Sequence, residues 1–238
     1  INTAAFVDVD QCETKVEKAF CVNALAVRHM AEVCRELDCA LVQISTNYVF
    51  GGETDIPYRE NDLPSPLNIY GVTKLMAEHL VRGALSQHYI IRTAGLFGAA
   101  ASAVKGGNFV ETMLHLAEAG KPIRVVDDQV LSPTYTRDLA RGIASLVSSG
   151  KYGLYHLTNQ GQCSWYRFAE VIFEQVGLDP VLERISSEEL DRAAHRPAYA
   201  VLDNQKFIST TGEGLPSWSE GLSRYLEERK KVSAGWGG

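Results

Sequence analysis

Apolar side chains recur along the chain in two alternating patterns. Residues 14–37 carry them at helical spacing, and the short, mostly apolar run at 39–44 is typical of a strand covered on both faces. The same order repeats with a predicted helix at 69–87 and a predicted strand at 89–93. Because parallel strands that alternate with helices need crossover connections, the pattern predicts an α/β fold with a doubly wound parallel sheet.

Beyond residue 94 the predicted elements are shorter and more mixed. They are helices at 108–120 and 136–148, strands at 122–126 and 154–158, a helix capped by Ser164, a strand at 181–185, a short helix near Glu188 and a helix after Pro216. Residues 232–238 are expected to form a disordered tail. We therefore expect a smaller mixed α/β part beside the main sheet.

The first six residues, Ile1 to Phe6, have the pattern of the end of a buried strand, and the chain does not begin with methionine. A strand end needs a strand to pair with. We therefore expect an N-terminally incomplete sheet, with further strands encoded before Ile1.

Composition and charge narrow the functional classes. Of the 238 residues, 45% are hydrophobic and 22% are charged, which is typical of a globular protein with a sizeable core. The net charge of −6 argues against a general nucleic-acid or anionic-membrane surface, since both favour a basic field. No apolar run approaches the roughly 18 residues of a membrane span.

The cysteines and histidines do not indicate a metal site. The five cysteines are Cys12, Cys21, Cys34, Cys39 and Cys163. They are odd in number and form no Cys-x-x-Cys pair, which predicts reduced thiols that serve as small core residues in a cytoplasmic protein. The six histidines are scattered without ligand-like spacing, so we expect core, cap or surface roles and no metal.

The most suggestive pair is Tyr70 and Lys74, which lie four residues apart on a predicted helix and therefore project from one face. A neighbouring ammonium lowers the pKa of a phenol from about 10, which would let Tyr70 act as a general acid or base. Thr46 ends the preceding strand, where ligands of open α/β sheets bind. By itself the spacing is a weak signal, because two such residues more often form a solvated helix face.

Several ordered strings of residues resemble one family. They are Asn2–Phe6, Ile44–Phe50, Pro57–Glu60, Pro66–Lys74, Ser132–Tyr135, Tyr155–Asn159 and Arg196–Tyr199. Together they look like dTDP-4-dehydrorhamnose reductases, which belong to the extended short-chain dehydrogenase/reductases. The resemblance covers nearly the whole chain and implies a Rossmann-type sheet. It places residues 1–94 and about 122–148 in the dinucleotide-binding domain, and residues 95–121 and 149–231 in the nucleotide-sugar-binding part.

The resemblance also implies roles for individual residues. Tyr70 would protonate the C4 oxygen of the sugar as hydride arrives from NADPH or NADH, Lys74 would bind the nicotinamide ribose, and Thr46 would hold the same oxygen. The implied cofactor-binding residues are Ala4, Ala5, Phe6, Asn23, Ser45, Tyr70 and Lys74. The implied substrate-binding residues are Asn47, Tyr48, Val49, Asn108, Phe109, Pro133, Thr134 and Arg196.

Two features depart from the family pattern. Asn47 stands where the family usually has Asp, and no G-x-x-G-x-x-G occurs, so the phosphate-binding loop is expected upstream of Ile1. For four residues a simpler explanation stays open. It is an exposed amide for Asn23, core packing or turn formation for Phe109 and Pro133, and a surface position for Arg196.

The resulting expectation is a cytoplasmic NAD(P)H-dependent reductase of a nucleotide-linked 4-keto-6-deoxy sugar, first of all dTDP-4-dehydrorhamnose. Its partners would be the nucleotide sugar and a second copy in a homodimer, with no nucleic acid and no membrane. Two alternatives stay open. One is a non-catalytic homologue such as the regulatory subunit of methionine adenosyltransferase. The other is an epimerase or a dehydratase, although a dehydratase usually has acidic residues beside the threonine and Asn47-Tyr48 offers none.

Overall fold

A computed structural model describes residues 1–99 and 107–235 of the chain. Its helices are α1 (Val9–Thr14), α2 (Val16–Phe20), α3 (Ala26–Glu36), α4 (Ile69–Ala84), α5 (Phe109–Glu118), α6 (Thr136–Ser148), α7 (Trp165–Val176), α8 (Gln205–Thr211) and α9 (Trp218–Gly235). Its strands are β1 (Leu41–Thr46), β2 (His88–Thr93), β3 (Leu96–Phe97), β4 (Ile123–Val126), β5 (Val130–Leu131), β6 (Thr134–Tyr135), β7 (Gly153–His156), β8 (Cys163–Ser164) and β9 (Leu182–Ile185). A π-helical turn (Cys21–Leu25) joins α2 to α3, and 3₁₀ turns lie at Asn47–Val49 and Ser187–Glu189.

The main sheet has the strand order β1-β2-β7, and both pairings are parallel. In this register Thr46 lies opposite Thr93, and Arg92 lies opposite His156. The carboxyl ends of the three strands therefore meet at one edge of the sheet. Ligands of open α/β sheets bind at such an edge.

Helices cover both faces of this sheet. On β2, Ile90 packs into a cluster with residues of α3 and α4, whereas Tyr89 and Ile91 pack into a cluster with residues of α6 and α8. Successive side chains of a strand point to opposite faces, so an apolar strand needs cover on both sides. The predicted α/β fold with a doubly wound parallel sheet is confirmed.

The first residues do not form the buried strand end that the sequence predicts. Asn2 makes an isolated parallel bridge to Gln43 of β1, with its N–H donating to the Val42 carbonyl at 2.8 Å. Ile1 is 77% exposed and Ala4 is exposed, so the apolar character of this segment is not matched by burial.

The first helical region begins earlier and is less regular than predicted. It starts at Val9, where Asp8 caps the helix by accepting a hydrogen bond from the Gln11 N–H at 3.0 Å. The backbone leaves helical geometry at Lys15 and widens into the π turn further along. The sequence also missed α8, a helix of seven residues, which is too short for a clear apolar period.

The second part of the molecule is built on an aromatic core between α5, α7 and α9. It includes the short sheet in which β4 pairs with β9, and Phe97, Tyr135, Phe168 and Tyr225 are buried within it. At two strands the structure differs from the predicted division into a dinucleotide-binding domain and a nucleotide-sugar-binding part. Strand β4 pairs within the second part, whereas β7 belongs to the main sheet.

Helix α9 extends to Gly235, so the tail predicted from Val232 begins inside a helix, and 236–238 lie outside the described residues. Within residues 1–99 and 107–235, no helix combines the length and apolarity needed to cross a membrane.

Candidate active site

The site is built where β1 ends and α4 begins. Thr46 is the last residue of β1 and is buried. Helix α4 starts at Ile69 behind the cap Asn68, whose side chain accepts a hydrogen bond from the Gly71 N–H at 2.8 Å. A Cβ atom at Gly71 would overlap the carbonyl oxygen of Tyr48. The glycine therefore lets the start of α4 approach the turn that follows Thr46.

Tyr70 and Thr46 are brought together as predicted. The Thr46 hydroxyl is near enough to lower the pKa of the Tyr70 phenol, and the ring of Tyr48 lies edge-on to that of Tyr70 with centroids 6.2 Å apart. Burial raises the pKa of Tyr70 above its ordinary value, and the nearby Thr46 hydroxyl opposes this only in part. The phenol is therefore protonated at neutral pH and can donate a proton.

Lys74 does not tune Tyr70 in the way that the spacing predicts. Its side chain is 3% exposed, and its Nζ atom donates to the carbonyl oxygen of Ile44 at 2.5 Å. Burial lowers the pKa of Lys74 to about 8, with the Glu78 carboxylate acting in the opposite direction. The prediction that Lys74 lowers the pKa of Tyr70 is therefore wrong for this structure, because the ammonium lies against β1 and burial dominates at the phenol.

Asn23 lies in the π turn and is fully buried, which excludes an exposed amide. Its Oδ1 atom accepts from the Phe6 N–H at 2.7 Å, and its Nδ2 atom donates to the Phe6 carbonyl and to the Thr73 hydroxyl, each at 3.1 Å. Asn23 thus fixes the backbone at Phe6 against α4, at the residue next to Lys74. The half-buried Ala5 and the exposed Ala4 continue this segment.

A buried charged network lies behind the site, and the sequence did not reveal it. Glu78, one turn after Lys74 on α4, accepts two hydrogen bonds from Arg92 of β2 at 2.9 and 2.7 Å, with both side chains 3% exposed. The Ser45 hydroxyl donates to Glu78 at 2.5 Å. Ser45, predicted to bind the cofactor, is therefore engaged by a carboxylate. The i, i+4 spacing of Lys74 and Glu78 is the sequence signal that could have indicated this network.

His156 of β7 closes the network. One of its ring nitrogens lies 3.4 Å from Arg92 Nη1 and the other lies 3.0 Å from the Tyr58 carbonyl oxygen. Burial and the nearby Arg92 guanidinium lower the pKa of His156 to about 3. The ring of His156 is therefore neutral at physiological pH.

The predicted substrate residues after Thr46 divide into two groups. Asn47 is buried, and its amide donates to the Ala200 carbonyl at 3.1 Å, which ties the strand end to the second part of the molecule. Tyr48 stands beside Tyr70. Val49 is completely buried in a core cluster with Phe50 and Leu202, so a role for its side chain in binding a ligand is wrong.

Arg196 is held close to Tyr48 rather than free on the surface. Its guanidinium donates to both carboxylate oxygens of Asp10 at 3.2 and 2.7 Å, and its side chain is 11% exposed. Burial raises the pKa of Tyr48, and the nearby Arg196 guanidinium opposes this. Burial lowers the pKa of Arg192, and the positive charge of the nearby Arg196 lowers it further. Two guanidinium groups and one carboxylate leave a net positive charge beside the tyrosines.

The remaining four predicted substrate residues have structural contacts. Asn108 caps α5 and donates to the Gly98 carbonyl at 2.9 Å, and Phe109 packs against Trp165 with tilted ring planes and ring centroids 4.6 Å apart. Pro133 is buried, and the Thr134 hydroxyl donates to the Ser132 carbonyl at 3.1 Å. For these residues the structure supports helix capping and packing, because their described polar groups are already paired within the fold.

Thr93 is a further candidate that the sequence did not single out. It ends β2 opposite Thr46, and its hydroxyl is buried without a hydrogen-bond partner within the described ranges. A buried polar atom without a partner is costly unless a bound group or water satisfies it. The orphaned Thr93 hydroxyl, the buried Lys74 ammonium and the fixed Phe6 segment therefore fit a polar cofactor at this edge of the sheet.

Comparison with known proteins places this arrangement in a family. The family model described as RmlD substrate binding domain matches residues 1–231. The chain belongs to this family. One relative is the spore coat polysaccharide biosynthesis protein SpsK of Bacillus subtilis (strain 168), 42% identical over 232 residues, covering 98% of this chain and 80% of the relative. Another is the dTDP-4-dehydrorhamnose reductase of Mycolicibacterium smegmatis, 40% identical over 227 residues, covering 93% and 68%.

Solved structures of RmlD-family relatives share the fold. A dTDP-4-dehydrorhamnose reductase of Clostridium acetobutylicum superposes with a TM-score of 0.91 at 39% identity, covering 96% of this chain and 80% of that one. The dTDP-4-dehydrorhamnose reductase of Bacillus anthracis in complex with NADP gives a TM-score of 0.91 at 37% identity, covering 95% and 79%. These matches confirm the predicted family and the Rossmann-type α/β fold.

Proposed function

We propose that this chain is a reductase that uses NADPH or NADH to convert the 4-keto group of dTDP-4-dehydrorhamnose into the hydroxyl of dTDP-rhamnose. The observation that carries the proposal is the protonated Tyr70 phenol beside Thr46 at the carboxyl end of β1. The relatives named dTDP-4-dehydrorhamnose reductase, at 34–40% identity, support the substrate. The relative in complex with NADP supports the cofactor.

The reaction needs a proton and a hydride at opposite ends of one carbonyl bond. The nicotinamide cofactor, when bound, supplies the hydride to C4. Tyr70 donates its phenolic proton to the C4 oxygen, and Thr46 donates a second hydrogen bond to the same oxygen. Two donors aimed at one oxygen stabilise the negative charge that develops there, and the product is a hydroxyl at C4.

Other residues hold the reactants in place. We assign the cofactor side of the site to Ala4, Ala5 and Phe6, fixed by Asn23, and to the ammonium of Lys74. The unpaired Thr93 hydroxyl would provide a further hydrogen bond to the cofactor or the substrate. Ser45 acts indirectly, through its hydrogen bond to Glu78.

The nucleotide-sugar side of the site is assigned to Tyr48, Asn47 and Arg196. The guanidinium of Arg196, with Arg192 beside it, matches the diphosphate group in charge and in hydrogen-bond geometry. Asn47 is a neutral amide where the family usually has a carboxylate. It can position the sugar by hydrogen bonds but cannot supply a proton.

The non-catalytic alternative is disfavoured by the names of the relatives, which are those of reductases. Structural neighbours named as a dehydratase and an epimerase are 20% identical and support the fold alone. A homodimer and a cytoplasmic location remain parts of the proposal, and gel filtration with light scattering tests the first.

The decisive assay gives the purified protein dTDP-4-dehydrorhamnose with NADPH or NADH and follows nicotinamide oxidation and dTDP-rhamnose formation. We expect one nicotinamide to be oxidised for each dTDP-rhamnose formed. dTDP-glucose, which has no keto group, serves as the matched control and should give no oxidation. A folded protein that oxidises neither cofactor in the presence of the keto sugar, and that co-purifies with a synthetase, would contradict the proposal.

A further inference from the structure

Two cysteines meet at the turn between α3 and β1. Cys34 lies in the last turn of α3, and Cys39 lies two residues before β1. The Cys39 N–H donates to the Cys34 carbonyl at 2.9 Å, and the Asp38 N–H donates to the Arg35 carbonyl at 3.3 Å. Asp38 itself has a positive φ of 48°. These two hydrogen bonds around a left-handed residue define a Schellman motif at the end of α3.

The Schellman motif brings the two thiols together. It places the third residue from the helix end opposite the second residue after the end, where a side-chain contact is common. Here those two positions are held by Cys34 and Cys39. Both cysteines are free thiols. Two cysteines that face each other in this motif can reach the geometry of a disulfide by rotation about their Cα–Cβ bonds.

The turn that carries the thiols is tied to its neighbours. The Asp38 carboxylate accepts from Gln87 Nε2 at 3.0 Å, and the Arg35 guanidinium donates to the Ala84 carbonyl at 3.3 Å. Ala84 is the last residue of α4 and Gln87 immediately precedes β2, so both contacts are made with the connection between these two elements. The backbone around the thiols is therefore held in place, and the two sulfur atoms stay near each other at high effective concentration.

The two thiols differ in accessibility. Cys39 is exposed, whereas Cys34 is half-buried and packs against the apolar cluster between α3 and α4. Burial, and after it the neighbouring Cys39 side chain, raise the pKa of Cys34. Because the thiolate is the nucleophile, Cys39 is the cysteine that reacts first with a reagent from solvent.

We propose that Cys34 and Cys39 form a redox-reactive dithiol, which small-molecule disulfides such as glutathione disulfide convert to an internal disulfide. In the first step the Cys39 thiolate attacks glutathione disulfide, forming a mixed disulfide and releasing one glutathione thiolate. In the second step the Cys34 thiolate attacks the Cys39 sulfur and releases the second glutathione thiolate. The protein loses two electrons and two protons, and the oxidant is reduced to two thiols.

Intact-mass spectrometry after incubation with glutathione disulfide and acid quenching tests this proposal. Because Cys21 is also exposed, the Cys21→Ser protein serves as the background for every measurement. We expect this protein to lose the mass of two hydrogen atoms and peptide mapping to give a Cys34–Cys39 disulfide. A reductant such as dithiothreitol should restore the mass.

Two variants establish the order of the steps. In the same background, Cys34→Ser should stop at the mixed disulfide and become heavier by one glutathionyl group on Cys39. Cys39→Ser should leave Cys34 reduced, with modification at least about tenfold slower because burial limits the thiolate. A background protein that accumulates the mixed disulfide without the internal bond would overturn the proposal, as would equal modification of Cys34 and Cys39 in the two variants. Neither result depends on reductase activity.

Discussion

Tyr70 and Lys74 show how burial decides the charge state of a residue. Their spacing correctly predicts that both belong to one face of α4, because the helical period alone fixes this. The direction of each pKa shift depends on the surroundings, and the surroundings were not predictable from the spacing. Burial raises the pKa of the phenol and lowers the pKa of the ammonium to about 8. The pair therefore consists of a neutral phenol that can donate a proton and a lysine ammonium with an unusually low pKa.

Replacing Lys74 by methionine should change the pH dependence of stability. The pKa of Lys74 is about 8 in the folded protein, against 10.5 for an ordinary lysine. Between pH 8 and pH 10.5 this lysine is therefore protonated in the unfolded chain and largely deprotonated in the folded one. The free energy of unfolding of the wild type therefore gains a contribution from this residue as pH rises from 8 to 10.5, up to about 3 kcal/mol. Lys74→Met should lack this gain.

Urea unfolding at several pH values in this range measures the difference between the two proteins. Lys121→Met removes an exposed lysine and is the matched control, which should keep the wild-type slope. Equal slopes for wild type and Lys74→Met would show that the ammonium is not buried.

Helix α4 connects the reactive groups to the sheet. Tyr70, Lys74 and Glu78 follow one another at four-residue intervals, and Glu78 is bound by Arg92 of β2. The Tyr70–Lys74 motif ends one helical turn before Glu78 and therefore does not include the residue that binds Arg92. The partner could not be predicted either, because β2 and α4 meet only through the tertiary fold.

Removing the charge of Glu78 should be strongly destabilising. Glu78→Gln leaves the Arg92 guanidinium buried without a carboxylate, which should lower the free energy of unfolding by about 3–5 kcal/mol. The double variant Glu78→Gln/Arg92→Met removes both charges and should recover much of the loss. Chemical denaturation of the single and double variants measures the coupling.

The exposed pair Arg28–Glu32 is the control for this cycle, with side chains 54% and 31% exposed. Glu32→Gln should cost less than about 1 kcal/mol. If Glu78→Gln were as mild as Glu32→Gln, the buried pair would not anchor α4.

The π turn shows where helical periodicity falls short. Residues 14–37 were predicted as one regular helix, since no residue type marks a π turn, yet the widened backbone places Asn23 inside the protein. The resemblance to the reductases indicated that Asn23 matters. Its contacts, to the Phe6 backbone and Thr73, became visible only in the structure.

Asn23→Ala should loosen the Phe6 segment. The substitution leaves a buried N–H and a carbonyl unpaired, so the free energy of unfolding should fall by about 2 kcal/mol and the Phe6 amide should exchange faster with deuterium. Asn23→Asp can still accept from the Phe6 N–H but cannot donate, and its exchange rate should lie between the other two. If the Phe6 amide of Asn23→Ala exchanged at the wild-type rate, the Asn23 side chain would not be what holds the Phe6 backbone in place.

For the molecule as a whole, the order of elements was predictable and their long-range pairing was not. Alternating apolar patterns predicted the parallel sheet of β1 and β2 correctly. The pairing of β4 with β9 joins segments about sixty residues apart, and apolar patterns carry no information on such partners. The site followed the same rule. Thr46, Tyr70 and Lys74 were found from local motifs, whereas Glu78, Arg92 and Thr93 required the fold.

The central claim is that Tyr70 donates the proton to the C4 oxygen, and Tyr70→Phe tests it most directly. The substitution removes one hydroxyl and keeps the ring, so circular dichroism and the melting temperature should match the wild type. With dTDP-4-dehydrorhamnose and NADPH, turnover should fall by about 10²–10⁴-fold, the usual contribution of a positioned general acid. A folded Tyr70→Phe protein that reduces the keto sugar at the wild-type rate would contradict the account.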